Sequence, residues 1–314
     1  LENSGELSWA AQLADAAIVT LEDLLAARLV SLGAARNLAQ LAAVLGRDFS
    51  EDLLSRLTEL AMPTAVFRRE FSDLVAAGIF EQVDRSNSSR FRFRHVLLQE
   101  AAYNGLLKSR RRQLHKQVVD LVLANSELEL PDEVMAWHCE QARYNRLAVE
   151  YAIRAGEACS VRSSVREADD LFNLAKRHLA ALDASSDSSD MMLRLLSAHG
   201  PVAVALYGKG SPQARDTYEQ GITICRNREV GDRDQWFPLY WGWWFTSPDN
   251  RTKRQRAQVI MSDLAASRSA EIRLQAFHCA WASNFHIANY SLCLKAIDDG
   301  MKLYDPDVAR VSRT

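Results

Sequence analysis

The residues best placed to do chemistry sit in one stretch, RFRFRHVLLQEAAYNGLLKSRRRQLH, residues 90–115. Alternating Arg and Phe lead into His95, after which the pattern turns apolar and helical. Histidine is the side chain whose charge changes near neutrality, so a single one at such a junction is the first candidate for a functional group. No catalytic partner accompanies it. The chain has no G-x-S-x-G, no H-E-x-x-H and no spaced pair of carboxylates. Asp169 and Asp170 are adjacent and point to different parts of a helix surface. The segment ALYGKGS (205–211) comes nearest to a phosphate-binding loop. That loop requires G-x-x-x-x-G-K-[ST] after a strand; here Ala203 takes the place of the first glycine and Gly210 that of the Ser/Thr. It reads as a loop between two helices of a repeat, and the chain reads as non-catalytic.

Metal chemistry finds no better footing. The five cysteines, Cys139, Cys159, Cys225, Cys279 and Cys293, are scattered. His138–Cys139 and His278–Cys279 lack second pairs at ligand spacing. Odd, scattered cysteines fit a reducing compartment, and a cytoplasmic location is expected.

Two further groups are candidates for binding. Arg90, Arg92 and Arg94, with Arg68 and Arg69, could follow phosphates. Glu70, Asp73, Glu81 and Asp84 lie among them, and the whole chain carries a net charge of −2, so nucleic acid is not the expected partner. The run QWFPLYWGWWF (235–245) gathers seven aromatic residues. It reads first as core between stacked repeats, but so many rings cannot all point inward. Tyr240, Trp241 and Trp244 are therefore candidates for an interaction surface.

The elements that position these groups are mostly helices. Thr20 is a candidate N-cap for TLEDLLAARLVSL (20–32), with Glu22 and Asp23 in the first turn. ARNLAQLAAVLG (35–46) stops at Gly46, Ser50 starts EDLLSRLTEL, and AVFRREFSDLVAAG (65–78) stops at Gly78. The period then changes. IFEQV (79–83) and RFRFR (90–94) read as a hairpin, with Phe91 and Phe93 on one face and the arginines on the other. Helices followed by a hairpin outline a winged helix. Two amphipathic helices follow, and SELELPDE (126–133) is a hinge-like connection.

From about residue 145 a repeat appears. Gly156 is followed by Ala168, Phe172 and Ala175, a small residue in one helix and a small–large–small trio in the next. This is the tetratricopeptide pattern. It recurs as Gly200 with Ala214, Tyr218 and Gly221, then more loosely as Gly242 with Ala257, Met261 and Leu264. A last instance has Ala280 or Ala282 with Cys293, Ile297 and Gly300. Small residues let two helices approach, and the large one fills the groove between them. No apolar run approaches the ~20 residues that span a bilayer. The chain starts at Leu1, and it is expected to be a piece of a longer protein.

These segments resemble the region that follows the ATPase core in STAND-type signalling ATPases linked to class III adenylate/guanylate cyclase domains or to transcriptional-regulator domains. The residues that carry the likeness are TLEDLLAARLVSLG, LAQLAAVLGRDFS, LVAAGIF and FRFRHVLLQEAAYNGLLKSRRRQLH. GSPQARDTYEQGITIC and FPLYWGWW are similar to the tetratricopeptide sensor region of the cyclase-linked members. The resemblance implies that His95 matches a histidine that reaches the phosphates of ADP bound to the neighbouring ATPase domain. A histidine in the first turn of a helix can donate to such a phosphate. Val96 stands where those proteins carry Asp.

The expected fold is therefore mostly α: a lid or linker remnant at 1–19, a winged-helix domain with a small hairpin and trailing helices at 20–125, and a tetratricopeptide-like α-solenoid at 126–314. The expected function is regulatory protein interaction within a multidomain ATPase, most naturally an adenylate cyclase. The alternative is a segment of a transcriptional regulator touching DNA through the winged helix. ATP or ADP would belong to the parent protein, with no cofactor in this part. The expected partners are upstream ATPase and output domains, and an unidentified protein or small-molecule signal on the repeats.

Overall fold

The computed structural model describes residues 27–59, 62–84, 87–183, 185–228 and 233–304. The helix start expected at Thr20 and the remnant at 1–19 lie outside these residues; residues 27–30 are helical. The chain divides into two compact units, one ending at Tyr144 and the other starting at Asn145.

In the first unit, α1 (Ala35–Leu45) carries an apolar face of Leu38, Ala39, Ala42 and Leu45 into the core and ends at Gly46, whose φ is 116°. A strand β1 (Asp48–Ser50) follows. Ser50 then caps α2 (Glu51–Thr58), its side chain accepting from the Leu53 N–H at 3.4 Å. Pro63 opens α3 (Thr64–Ala76), and Gly78, at φ 67°, turns the chain into β2 (Phe80–Asp84) and β3 (Asn87–Phe93). The sheet is antiparallel in the order β1–β3–β2, so the last strand is central. The sequence reading found only the hairpin. β1 escaped it because three residues are too few to show an alternation.

Alternation along β3 does what its period dictates. Phe91 and Phe93 are buried while Arg90 and Arg94 are exposed. Register sets Phe49 opposite Phe91 and Phe80 opposite Phe93. The rings meet edge to face: Phe80–Phe93 at 4.9 Å, Phe49–Phe80 at 4.9 Å and Phe71–Phe91 at 4.8 Å. Such offset contacts add to the area they bury. Three helices complete the unit: α4 (Val96–Asn104), α5 (Lys108–Ala124) and α6 (Asp132–Ala142). Arg111 folds back over the end of α4, donating to the Asn104 and Leu106 carbonyls at 2.9 and 3.0 Å. Part of the basic run is thus a helix cap.

The second unit consists of helix pairs: α7 (Asn145–Val161) with α8 (Val165–Leu179), α9 (Ser186–Tyr207) with α10 (Pro212–Arg226), α11 (Phe237–Phe245) with α12 (Asn250–Asp263), and α13 (Ala270–His286) with α14 (Tyr290–Met301). Each helix packs on the next, which is the one-dimensional build of a repeat array. The small–large pairs are close-fitting. A Cβ on Gly156 would stand 2.5 Å from the Phe172 ring. Tyr218 is trapped twice, since a Cβ on Gly200 would reach 2.4 Å from its ring and one on Gly242 would reach 2.0 Å. The last pair departs from the expected pattern: Ala276 and Cys279 are the buried small residues of α13, while Ala280 and Ala282 are half-buried. The ALYGKGS segment runs off the end of α9 into the turn before α10, as an interhelix loop.

Candidate functional site

His95 occupies the N-cap position of α4 with extended backbone, φ −123° and ψ 131°. Its side chain makes no capping hydrogen bond and is exposed. It therefore neither closes the helix nor packs beneath the hairpin. Val96 beside it is exposed as well. The arginines above it are largely neutralised, because register sets Arg92 opposite both Asp48 and Glu81. Arg92 pairs with Asp48 at 2.7 Å and Arg94 with Glu81 at 3.4 Å. Among the described residues, Arg90 makes no ion pair.

The sequence reading missed a buried histidine pair in this unit. His115 on α5 and His138 on α6 are fully buried, with their Nδ1 atoms 2.9 Å apart. His115 Nε2 lies 2.9 Å from the Tyr103 hydroxyl, and Trp137 sets its ring edge-on to His115 at 4.7 Å. His138 Nε2 has no partner. One tautomer set satisfies every N–H. His138 Nδ1–H donates to His115 Nδ1, His115 Nε2–H donates to Tyr103, and the orphan on His138 is a lone pair, which costs less than an orphan donor. Burial, then the nearby Arg111 charge, holds His115 down to about 4. Burial, then His115, holds His138 down to about 3. The pair is neutral and structural. Its signal in the sequence was only two isolated histidines, 23 positions apart.

A second buried polar cluster joins α8 to α9. Asp169 accepts from His199 Nε2 at 2.7 Å, from the Tyr207 hydroxyl at 2.6 Å and from Asn173 at 3.0 Å. Burial pushes Asp169 up, but the bonds from His199 and Tyr207 outweigh it, and the carboxyl sits below its ordinary range. Asp170, its neighbour, is exposed.

The aromatic run forms α11 and is mostly core. Tyr240 is fully buried, its hydroxyl donating to Asp263 at 3.3 Å. Trp244 is buried too, with its indole N–H donating to Ser283 at 2.8 Å. The expectation that Tyr240 and Trp244 face an interaction surface is therefore corrected: their polar tips find partners inside the array, so nothing draws them to solvent. Trp241 is different. It is 37% exposed and stacks on Phe245 at 5.0 Å, 11° from parallel. Together with Pro201, Val204, Tyr218 and Phe237 it lines an open apolar groove of about 480 Å³ across α9, α10 and α11. A large aromatic held half in water over an apolar groove is what a partner-binding surface requires.

Among the described residues, no three His, Cys, Asp or Glu side chains gather to hold a metal ion, and no helix is long and apolar enough to cross a membrane.

The chain matches no protein-family profile. It is 33% identical over 295 residues to an uncharacterised protein of Rhizobium meliloti (strain 1021), and the match covers 93% of this chain and 29% of that protein. The chain thus spans less than a third of the length of the curated relative it matches. Among solved structures, it superposes on a Signal Transduction ATPase with Numerous Domains (STAND) protein with a tetratricopeptide repeat sensor from Pyrococcus horikoshii. That superposition has a TM-score of 0.32 and 12% identity, and covers 86% of this chain and 44% of the other. At that score it carries no argument about this chain.

Proposed function

We propose that this chain is a non-catalytic, regulatory protein-interaction region of a larger STAND-type signalling ATPase, an adenylate cyclase in its full form. A winged-helix unit would lie next to the ATPase domain, and tetratricopeptide-like helix pairs would take the partner. One observation carries the reading: the helix-pair array keeps Trp241 exposed over an apolar groove while it buries Tyr240 and Trp244 of the same aromatic run. The first unit supports it in a second way. Its element order is helix, strand, helix, helix, strand, strand, with the sheet order β1–β3–β2, and it leaves His95 exposed at the start of α4. There the imidazole is free to donate to a phosphate presented by another domain.

The mechanism that follows is a lever. A partner in the groove has different affinity for two states of the protein, and this difference biases whether His95 meets nucleotide. The test is ADP retention in the longer protein. His95→Ala should release ADP faster and raise basal output. Unchanged retention together with unchanged output would remove His95 from the mechanism. The DNA-contact alternative loses support from the ion pairs of Arg92 and Arg94, which spend on Asp48 and Glu81 the charge a phosphate would need.

A further inference from the structure

The second helices of the first two pairs meet at a cavity through polar stripes. On α8, Asp169, Asn173 and Lys176 recur at spacings of four and three, which sets them on one face. On α10, Gln213, Asp216 and Gln220 do the same at three and four, with Thr217 beside them. The cavity between them holds about 250 Å³, with His199 and Tyr207 of α9 also in its wall. No aliphatic side chain lines it among the described residues. Polar side chains without partners are ordinary in water, as Gln213, Asp216 and Gln220 are here. Two other groups in the wall are withdrawn from it. His199 is buried; its Nε2–H goes to Asp169, and its Nδ1 is a buried acceptor with no partner. The Lys176 ammonium is half-buried. Among the described residues it has no ion pair and one long hydrogen bond, 3.5 Å to the Thr217 hydroxyl. Burial holds it below its usual range, and Asp169 and Asp216 offset this only in part. Groups so placed are as a rule hydrogen-bonded. At the next junction of the array the rule holds, because Arg256 of α12 reaches directly to Glu219 of α10. Across this cavity no such pair closes the gap.

We propose that this cavity binds a small neutral polyhydroxylated molecule, a monosaccharide or a cyclitol. Its wall mixes donors and acceptors: the Lys176 ammonium donates, the Asp216 carboxylate accepts, and the Gln213 and Gln220 amides do both. A ring of hydroxyls matches such a mixture, since each hydroxyl donates once and accepts twice. The other ligand classes fit worse. A phosphate or carboxylate would meet net negative charge, because two carboxylates face the one ammonium. An organic cation would compete with Lys176, which already stands in the field of both carboxylates. An apolar ligand would find no aliphatic wall. The carbon face of a saccharide has one place to lie, the ring of Tyr207, which is 43% exposed and held by its hydroxyl on Asp169. The volume suits one such ring rather than a drug-sized ligand, whose sites start at about 300 Å³. The cavity shares no lining residue with the groove beneath Trp241. The site therefore goes beyond the partner reading and does not depend on it.

Saturation-transfer NMR on the full 314-residue chain tests this, with D-glucose, D-galactose, D-ribose and myo-inositol as probes at millimolar concentration. At least one of them should bind and raise the unfolding temperature, since a ligand of the folded state stabilises it. Asp216→Ala/Gln220→Ala should weaken that binding about tenfold, the loss of contacts that include one to a charged group. Both side chains are exposed on α10 and hydrogen-bonded to no described residue, and circular dichroism would verify that the variant folds. Lys176→Met should abolish binding without lowering the unfolding temperature of the free chain, because an ammonium without an ion pair gives the fold little. Binding of none of the probes would assign the cavity to water and overturn the proposal. Binding that the double variant leaves unchanged would place the ligand elsewhere, with the same consequence. L-Glutamate, spermidine or inorganic phosphate bound more tightly than every polyol, and lost in the double variant, would keep a site here but overturn its ligand class.

Discussion

Tyr218 is held in place by what two glycines lack. Its ring fills the space that a Cβ on Gly200 or Gly242 would occupy, and a buried ring in a packed array has nowhere to swing. Gly242→Ala and Gly200→Ala should each cost about 1–3 kcal/mol or more, the usual range for overpacking. Gly210→Ala should fall within about 0.5 kcal/mol, since a Cβ there would meet nothing within 4 Å. Urea midpoints would decide this, and equal midpoints for the Gly242 and Gly210 variants would contradict the packing account. The histidine pair makes a prediction at the same scale. Burial holds His115 at about 4 and His138 at about 3, below the ~6.5 of an unfolded chain. The unfolded state therefore takes up protons first. The stability due to the neutral pair is complete above pH ~6.5 and is lost as pH falls from there toward the folded values, by up to ~1.4 kcal/mol per pH unit for each histidine. Ring resonances of both should stay unchanged down to about pH 5 by NMR, and a midpoint near the free value for either would refute the buried pair.

At the scale of elements, β3 shows how one strand serves two purposes. Its inward face is core, and Phe93→Ala should cost about 3–5 kcal/mol, as truncation of a buried ring does. Its outward face is a row of arginines of small energetic weight. Arg90→Ala should be neutral within about 0.5 kcal/mol, and Arg92→Ala should cost at most about 1 kcal/mol, because its pair with Asp48 is partly exposed. Thermal or urea unfolding of the three variants checks the order; a Phe93 variant no worse than the Arg90 variant would mean the sheet is not packed on α3 through its rings. Helix α11 makes the same division over one turn: Tyr240 and Trp244 go in with their hydrogen bonds made, and Trp241 stays out.

For the whole molecule, electrostatics argue against a nucleic-acid role. The net charge is −2, and two of the three wing arginines already face carboxylates. Phosphate binding by several cations gives an affinity that falls steeply with salt. We expect no such binding of duplex DNA to the full chain, even at low salt, in a fluorescence-anisotropy titration. A steep salt slope that is lost on mutation of Arg90 would reverse that view and favour the DNA-contact alternative.

Much of this architecture was legible in the residues alone. The hairpin face, the caps at Ser50, Gly46 and Gly78, and the small–large periods at Gly156–Phe172 and Gly200–Tyr218 are local or periodic signals. Chain stereochemistry converts them directly into elements. What the residues could not show is who meets whom across elements. The strand at Asp48–Ser50 exists because β3 offers it a ladder. His115 and His138 are a pair because α5 packs on α6. Trp241 is a surface residue while Trp244 is core, although both lie in one aromatic run. Burial depends on which face of a helix its neighbours cover, and in a nine-residue helix apolar almost all round no period marks that face. Tertiary packing decided it, and with it the groove that Trp241 overhangs.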